Sequence, residues 1–322
     1  MPESIGSPSM WIGFGVFVVV ATLVDLVLLR SQGDKPVAMR QALAWSAVWV
    51  AAAAVFAGWL WWHVDGTAGR AAANAKASEF VTGYLIEKSL AVDNIFVFLM
   101  LFTYFAVPAA LQKRVLVLGV IGAIVLRTVM ILVGAWLIST FHWVLYVFGV
   151  FLLATGVKML LVAGQAPDLE KNAVLRWMRG HLALTDGFRG DRFTLLENGK
   201  RWYTPLFVVM VLVAVTDIVF AVDSIPAIFA ITSDPFIVLT SNVFAILGLR
   251  ALYFVLADFA GRFHLLSYGL AAILMFVGVK MLLVDVWKIP VHWSLATVGA
   301  ILVASVVASL ASKSAAPARA TP

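Results

Sequence analysis

The sequence predicts an all-α polytopic membrane protein with about nine transmembrane helices around an inverted 3+3 helix repeat core. Three observations predict it. The 322 residues are 63% hydrophobic and 12% charged, where an ordinary globular domain is roughly 45–50% apolar and about 25% charged. Apolar runs of about 20 residues recur, the length that crosses a hydrocarbon core about 30 Å thick. Finally, one stretch of the chain repeats the motifs of another.

The elements follow in order. The N-terminal "MPESIGSPSM" lacks the basic stretch of a signal peptide, so the first apolar run, 10–29, reads as a retained helix. Further spans are expected at 41–62, 80–106, 115–139, 143–163, 205–231, 235–257, 265–286 and 291–311. Backbone groups in lipid must be paired within the segment, so these are helices; the period-two alternation of a barrel strand is absent. The organisation is then 1–79, two peripheral helices; 80–163, a first three-helix repeat; 164–204, a polar cytoplasmic loop; 205–286, a second, inverted repeat; and 287–322, a last helix with a disordered cytoplasmic tail. The loop, with its "LRWMRGHL", reads as a linker carrying one interfacial amphipathic helix, or else as a partner site.

Charge sets the orientation. One set of alternate connections holds fifteen of the 23 Lys and Arg, while the other holds only Arg70, Lys76 and Lys288. Basic residues favour the cytoplasmic side, which puts the N-terminus outside and the C-terminus in the cytoplasm. The same asymmetry explains the net charge of +6 without nucleic acid. Tryptophans 11, 59, 61, 62, 136, 143, 202, 287 and 293 fall near predicted span ends, as an aromatic belt does. The chain has no cysteine, which excludes disulfides, thiolate ligands and thiol nucleophiles.

The repeat organises the middle of the chain. "LAVDNI" (90–95) matches "FAVDSI" (220–225). "LGVIGAIVLRTVMIL" (118–132) parallels "NVFAILGLRALYFVL" (242–256), aligning Arg127 with Arg250. "FHWVLYVFGVFLLATGVKMLLV" (141–162) matches "FHLLSYGLAAILMFVGVKMLLV" (263–284). Each copy has three helices, an odd number, so the second enters from the opposite side. Inverted repeats of this kind are a transporter architecture, with sites near the midplane and at interrupted helices.

Within the spans lie Glu87, Asp93, Asp217 and Asp223. Left alone, such acids cost roughly 2.5–3.5 kcal/mol each. They must be paired, protonated or facing a polar cavity. Lys88, Arg127, Arg250 and Lys280 also lie within spans, so four bases are available as charge partners. A neutral network that only locks helices together is one reading; a functional polar site is the other, favoured because two matching acid helices enter from opposite sides. Seven residues make nearly two helical turns, so Glu87 shares a face with Asn94, and Asp217 with Ser224. Pro226 removes a backbone donor and marks an expected helix break that frees carbonyls. Carboxylates, an amide, hydroxyls and carbonyls are all-oxygen ligands, suited to Mg, Ca or Mn over Zn or Cu. Histidines sit at membrane ends or in the long loop and read as interfacial. "TSDP" (232–235) and "TSN" (240–242) read as an external turn with helix capping.

"EKSLAVDNIFVF" (87–98), "TDIVFAVDSIPAIFAITSDPFIVLTSN" (216–242) and the paired "GVKMLLV" resemble the TerC family of integral membrane proteins, in its Alx-type branch, over about residues 40–290. The resemblance implies a role in manganese homeostasis, foremost manganese efflux across the bacterial inner membrane, together with an alkaline response and an older tellurium-resistance label. It maps the family's intramembrane acids onto Glu87, Asp93, Asp217 and Asp223. The family commonly carries an acid three residues before the position of Asp217; here that position is Ala214.

The expected function is a secondary transporter exporting divalent cations, Mn2+ first and Ca2+ second, from a metal site of Asp93, Asp223, Glu87, Asp217, Asn94 and Ser224. No GxxxxGK[ST] nucleotide loop is present, so a gradient is the expected energy source. Expected partners are the metal ion and the lipid bilayer, with no nucleic acid, no permanently bound cofactor and no catalytic residues. A non-transporting scaffold or metal-delivery protein is the alternative. A di-aspartyl intramembrane hydrolase using Asp93 and Asp223 is a more distant one, since neither Gly-x-Gly-Asp nor HExxH occurs.

Overall fold

A computed structural model describes residues 4–32, 38–141, 143–162, 172–197, 199–259, 265–287 and 289–312. Its elements in chain order are α1 (Pro8–Gln32), α2 (Met39–Ala68), α3 (Arg70–Tyr104), α4 (Ala109–Thr140), α5 (Val144–Val162), α6 (Ala173–His181), β1 (Thr194–Glu197), β2 (Lys200–Tyr203), α7 (Pro205–Phe229), α8 (Pro235–Leu247), α9 (Leu249–Phe259), α10 (Leu266–Leu282) and α11 (Val291–Ala311). Every predicted span carries helix. By length and apolarity alone, α2, α4, α5, α7 and α11 are able to cross a membrane, and the bent pair α8–α9 makes a sixth if it is one span. Helix α3 carries Glu87, Lys88 and Asp93 in its apolar part, and α10 is a shorter apolar helix.

The central helix is α3. It packs against α2, α7, α8 and α11, and α7 packs in turn on α4. At 35 residues it is about 52 Å long, well beyond a hydrocarbon core. Its first turns, "RAAANAKASE", fall where the sequence implied an external connection. Alanine is the strongest helix former, so α2 and α3 run on past the apolar stretch and meet through Gly69 alone. Two side-chain clasps hold this corner: Trp61 Nε1 donates to Asn74 Oδ1 at 2.8 Å, and Arg70 pairs with Asp65 at 2.8 Å.

The two GVKMLLV helices pack side by side. A Cβ on Gly156 of α5 would lie 2.9 Å from the Ala271 carbonyl of α10, and one on Gly278 would lie 2.8 Å from the Gly149 carbonyl. Rising numbers on α5 meet falling numbers on α10, so the helices run antiparallel. In the aligned repeats Gly149 corresponds to Ala271 and Gly156 to Gly278. The two contacts are therefore equivalents of each other with the copies exchanged.

Two expectations change. Pro226 does not break α7, which stays helical to Phe229. The proline sits in the last turn, where it removes one hydrogen bond and little helix remains to bend. The interruption falls instead at Gly248, where α8 and α9 meet at 42°. A Cβ there would lie 2.7 Å from Lys88 Nζ and 3.1 Å from Trp49 Cβ, so the glycine backbone packs tightly against side chains of α2 and α3.

The second change is in 164–204. Beyond α6, the loop folds as an antiparallel hairpin, β1–β2, pairing Thr194 with Tyr203 and Glu197 with Lys200. Asn172 caps α6, whose Leu175 and Met178 are buried against the bundle while Trp177 is exposed. Arg114 of α4 pairs with Asp191, and Arg179 donates to Tyr104 Oη of α3 at 3.2 Å. These ties make a docked module of a segment whose polar composition suggested a linker. The tail 313–322 lies outside the described residues.

Candidate functional site

Four of the buried polar residues converge where α3, α4 and α7 meet. Glu87 of α3 is fully buried, and Arg127 of α4 is 2% exposed. Asp217 and Ser224 of α7 are buried as well. Arg127 Nη1 forms an ion pair with Glu87 Oε1 and donates to Ser224 Oγ at 3.2 Å. Its Nη2 donates to Asp217 Oδ1 at 3.5 Å. Asp217 and Ser224, seven residues apart, thus reach the same guanidinium. So do Glu87 and Asp217, which occupy equivalent places in the two acid helices.

The cluster is under-satisfied. Glu87 Oε2, Asp217 Oδ2 and Arg127 Nε are buried with no hydrogen-bond partner among the described residues. A buried polar atom left unpaired costs about 1–3 kcal/mol. With both carboxylates ionised, two negative charges share one positive charge. Beside the cluster, between α4 and α7, lies a cavity of about 220 Å³ lined in part by Ala123, Leu126, Ala214, Asp217 and Ile218. Ala214, where the family resemblance leads one to expect an acid, adds no ligand to that wall.

The remaining predicted residues are placed differently. Asp223 accepts from Thr155 Oγ1 of α5 at 3.4 Å. Asp93 lies on α3, and its side chain is outside the described residues, as is any meeting of Asp93 with Asp223. Asn94 is buried on α3. Two expected charge partners make no ion pair within 4 Å among the described residues: Lys88 Nζ donates to the Ala245 carbonyl at 3.2 Å, and Lys280 Nζ donates to Ser294 Oγ at 2.9 Å. For Lys88 the reason is the bend at Gly248, beside which the Ala245 carbonyl offers an acceptor within reach. Arg250 is buried on α9. Among the described residues no three His, Asp or Glu side chains form a group able to hold a metal in this arrangement.

Some polar residues of interest were missed. "TSDP" caps as expected: Asp234 accepts from Phe236 N at 3.0 Å and also from Ile5 N at 2.9 Å. "TSN" does not cap. It lies in mid-α8, fully buried, and both amide atoms of Asn242 lack a partner among the described residues. A polar triplet inside an apolar helix was the available signal. A second polar set joins the start of the apolar part of α3 to the α7–α8 turn, where Lys76 pairs with Glu79 at 3.0 Å and Thr232 donates to Glu79 at 2.7 Å.

Comparison with known proteins fits this architecture. The profile of the "Integral membrane protein TerC family" matches residues 72–319. A protein of Escherichia coli strain K12 named "Putative membrane-bound redox modulator Alx" is 56% identical over 301 residues, 94% of each chain. The protein of the same name from Photorhabdus laumondii is 52% identical over 95% of each chain. An uncharacterized membrane protein of Myxococcus xanthus is 46% identical over 95% of this chain and 93% of its own. No solved structure matches. The match spans both acid helices, both arginine helices and both GVKMLLV helices: the chain belongs to the TerC family of integral membrane proteins.

Proposed function

We propose that this protein is a secondary transporter that exports divalent cations, manganese foremost, from the cytoplasm across the inner membrane. One observation carries the reading: the acids Glu87 and Asp217, equivalent in the two sequence copies, meet on one buried arginine, and each keeps an oxygen unpartnered among the described residues. A helix lock needs one satisfied pair; this cluster holds an extra carboxylate and free ligand atoms. Oxygen ligands suit manganese, magnesium and calcium, and the manganese preference rests on the family resemblance. The antiparallel α5–α10 pair and the interrupted span at Gly248 support an inverted-repeat mechanism, in which sites lie between the copies and at broken helices. Carboxylates bind metal only when deprotonated, so affinity for the ion depends on pH.

The relatives' name offers a redox reading. With no cysteine in the chain, thiol–disulfide chemistry is closed to its own side chains. A non-transporting scaffold is favoured by one feature, the docked cytoplasmic module of α6 and β1–β2.

The test is cellular metal content, across several metals, at neutral and alkaline pH, with and without the protein. Manganese should fall when the wild type is present. Protection should disappear in Glu87→Gln, Asp217→Asn, Asp93→Asn and Asp223→Asn at equal protein level. Unchanged manganese in all four would sink the transport reading, and loss of function only on deleting 172–203 would favour the scaffold.

A further inference from the structure

We infer that Arg127 is a tethered counter-cation of the carboxylate pair, holding Glu87 and Asp217 together when no metal does and exchanging with the metal in each transport cycle. The inference rests on the transport reading and adds a residue with a defined role to it. Geometry comes first. Arg127 stands on α4, a third helix, and reaches across to acids on α3 and α7. It therefore bridges the two acid helices.

Charge comes next. Two carboxylates with one guanidinium sum to −1. A divalent ion added beside the guanidinium brings the sum to +1, whereas a divalent ion in its place brings it to zero. In a low-dielectric interior like charges repel strongly, so metal and guanidinium compete for the same oxygens. The grip of Arg127 is also incomplete. Its contact to Asp217 is long at 3.5 Å, and among the described residues its Nε has no partner while Oε2 of Glu87 and Oδ2 of Asp217 remain open. A fully satisfied fork would be hard to displace; this one leaves an entering cation two free oxygens to start from. Space for the displaced group exists as well. The 220 Å³ cavity is walled by Ala123 and Leu126, on the turn of α4 preceding Arg127, and by Asp217 itself. Swinging there, the guanidinium keeps one acid within reach.

A tethered cation has a second consequence. Once the metal leaves, Arg127 closes on the acids again, so the emptied carrier never exposes two bare buried carboxylates. That lowers the cost of the empty return step, which an exporter must make in every cycle.

The experiment uses full-length protein, purified in detergent for manganese binding and reconstituted in liposomes for manganese flux. Arg127→Gln should bind Mn2+ at least tenfold more tightly than wild type while its flux falls at least tenfold. Arg127→Lys, which keeps a charge but loses the fork, should fall between the two in both measurements. Should Arg127→Gln fail to fold, the double variant Glu87→Gln/Arg127→Gln should bind Mn2+ more tightly than Glu87→Gln alone. Equal or weaker binding in these comparisons, with a wild type that binds and transports Mn2+, overturns the role of Arg127 and leaves the transport reading standing. A wild type that neither binds nor transports Mn2+ overturns both.

Discussion

Arg127 serves two acids at once, and that sets the energetics of its neighbourhood. Removing one partner of a buried ion pair costs about 3–5 kcal/mol, because the other charge is left uncompensated. Arg127→Met leaves both Glu87 and Asp217 buried without a counter-charge, so it should lower stability by about that amount. Glu87→Gln should cost clearly less, since Asp217 still neutralises the guanidinium. Thermal unfolding in detergent measures the order, and an equal loss in both variants would contradict it. At this scale the sequence revealed the participants but not the partners. Glu87, Asp217, Ser224 and Arg127 are each conspicuous as polar residues in apolar spans. That Lys88 turns to the Ala245 carbonyl, and Asp223 to Thr155, depends on side-chain directions that residue type does not encode.

At the scale of elements, the contact between α5 and α10 depends on small residues. Without a hydrophobic drive between helices in lipid, close backbone approach at Gly supplies the packing. Gly278→Ala places a methyl 2.8 Å from the Gly149 carbonyl and Leu153 N, both backbone atoms that have no rotamer to yield. It should destabilise by about 1–3 kcal/mol, the usual cost of overpacking. Gly122→Ala on α4 meets nothing within 4 Å and should be neutral or slightly stabilising. Comparing the melting temperatures of the two variants checks this, and a neutral Gly278→Ala would remove the packing argument. Hydropathy located the apolar helices, because an apolar run long enough to span lipid is a property of composition. It missed the extension of α2 and α3 to Gly69, since a helix outside lipid needs only propensity. It also placed the helix break at Pro226 rather than Gly248. A proline near a helix end removes little, while a glycine pressed by Lys88 and Trp49 interrupts the span.

For the whole molecule, orientation is the open consequence of the charge asymmetry, and the cysteine-free chain makes it directly testable. Leu196 in the hairpin and Val286 after α10 are both highly exposed. Leu196→Cys should react with a membrane-impermeant maleimide only after the cells are permeabilised, and Val286→Cys in intact cells; the reverse pattern would invert the topology. The sequence by itself determined the class of molecule, the positions of its apolar helices, the recurrence of its motifs and the choice of Glu87 and Asp217 as acids within apolar helices. These follow from local composition, from periodicity and from the two copies of one motif, all of which can be read along the chain. Only the tertiary structure decided that Glu87 and Asp217 share Arg127, that Asp223 looks to α5, and that 172–203 docks as a module. The reason is physical. In lipid every long helix satisfies its own backbone, so sequence specifies helices without specifying neighbours. Neighbours are chosen by side-chain packing and by buried charges seeking partners, and those partners are distant in the chain: Arg127 lies 40 residues from Glu87 and 90 from Asp217.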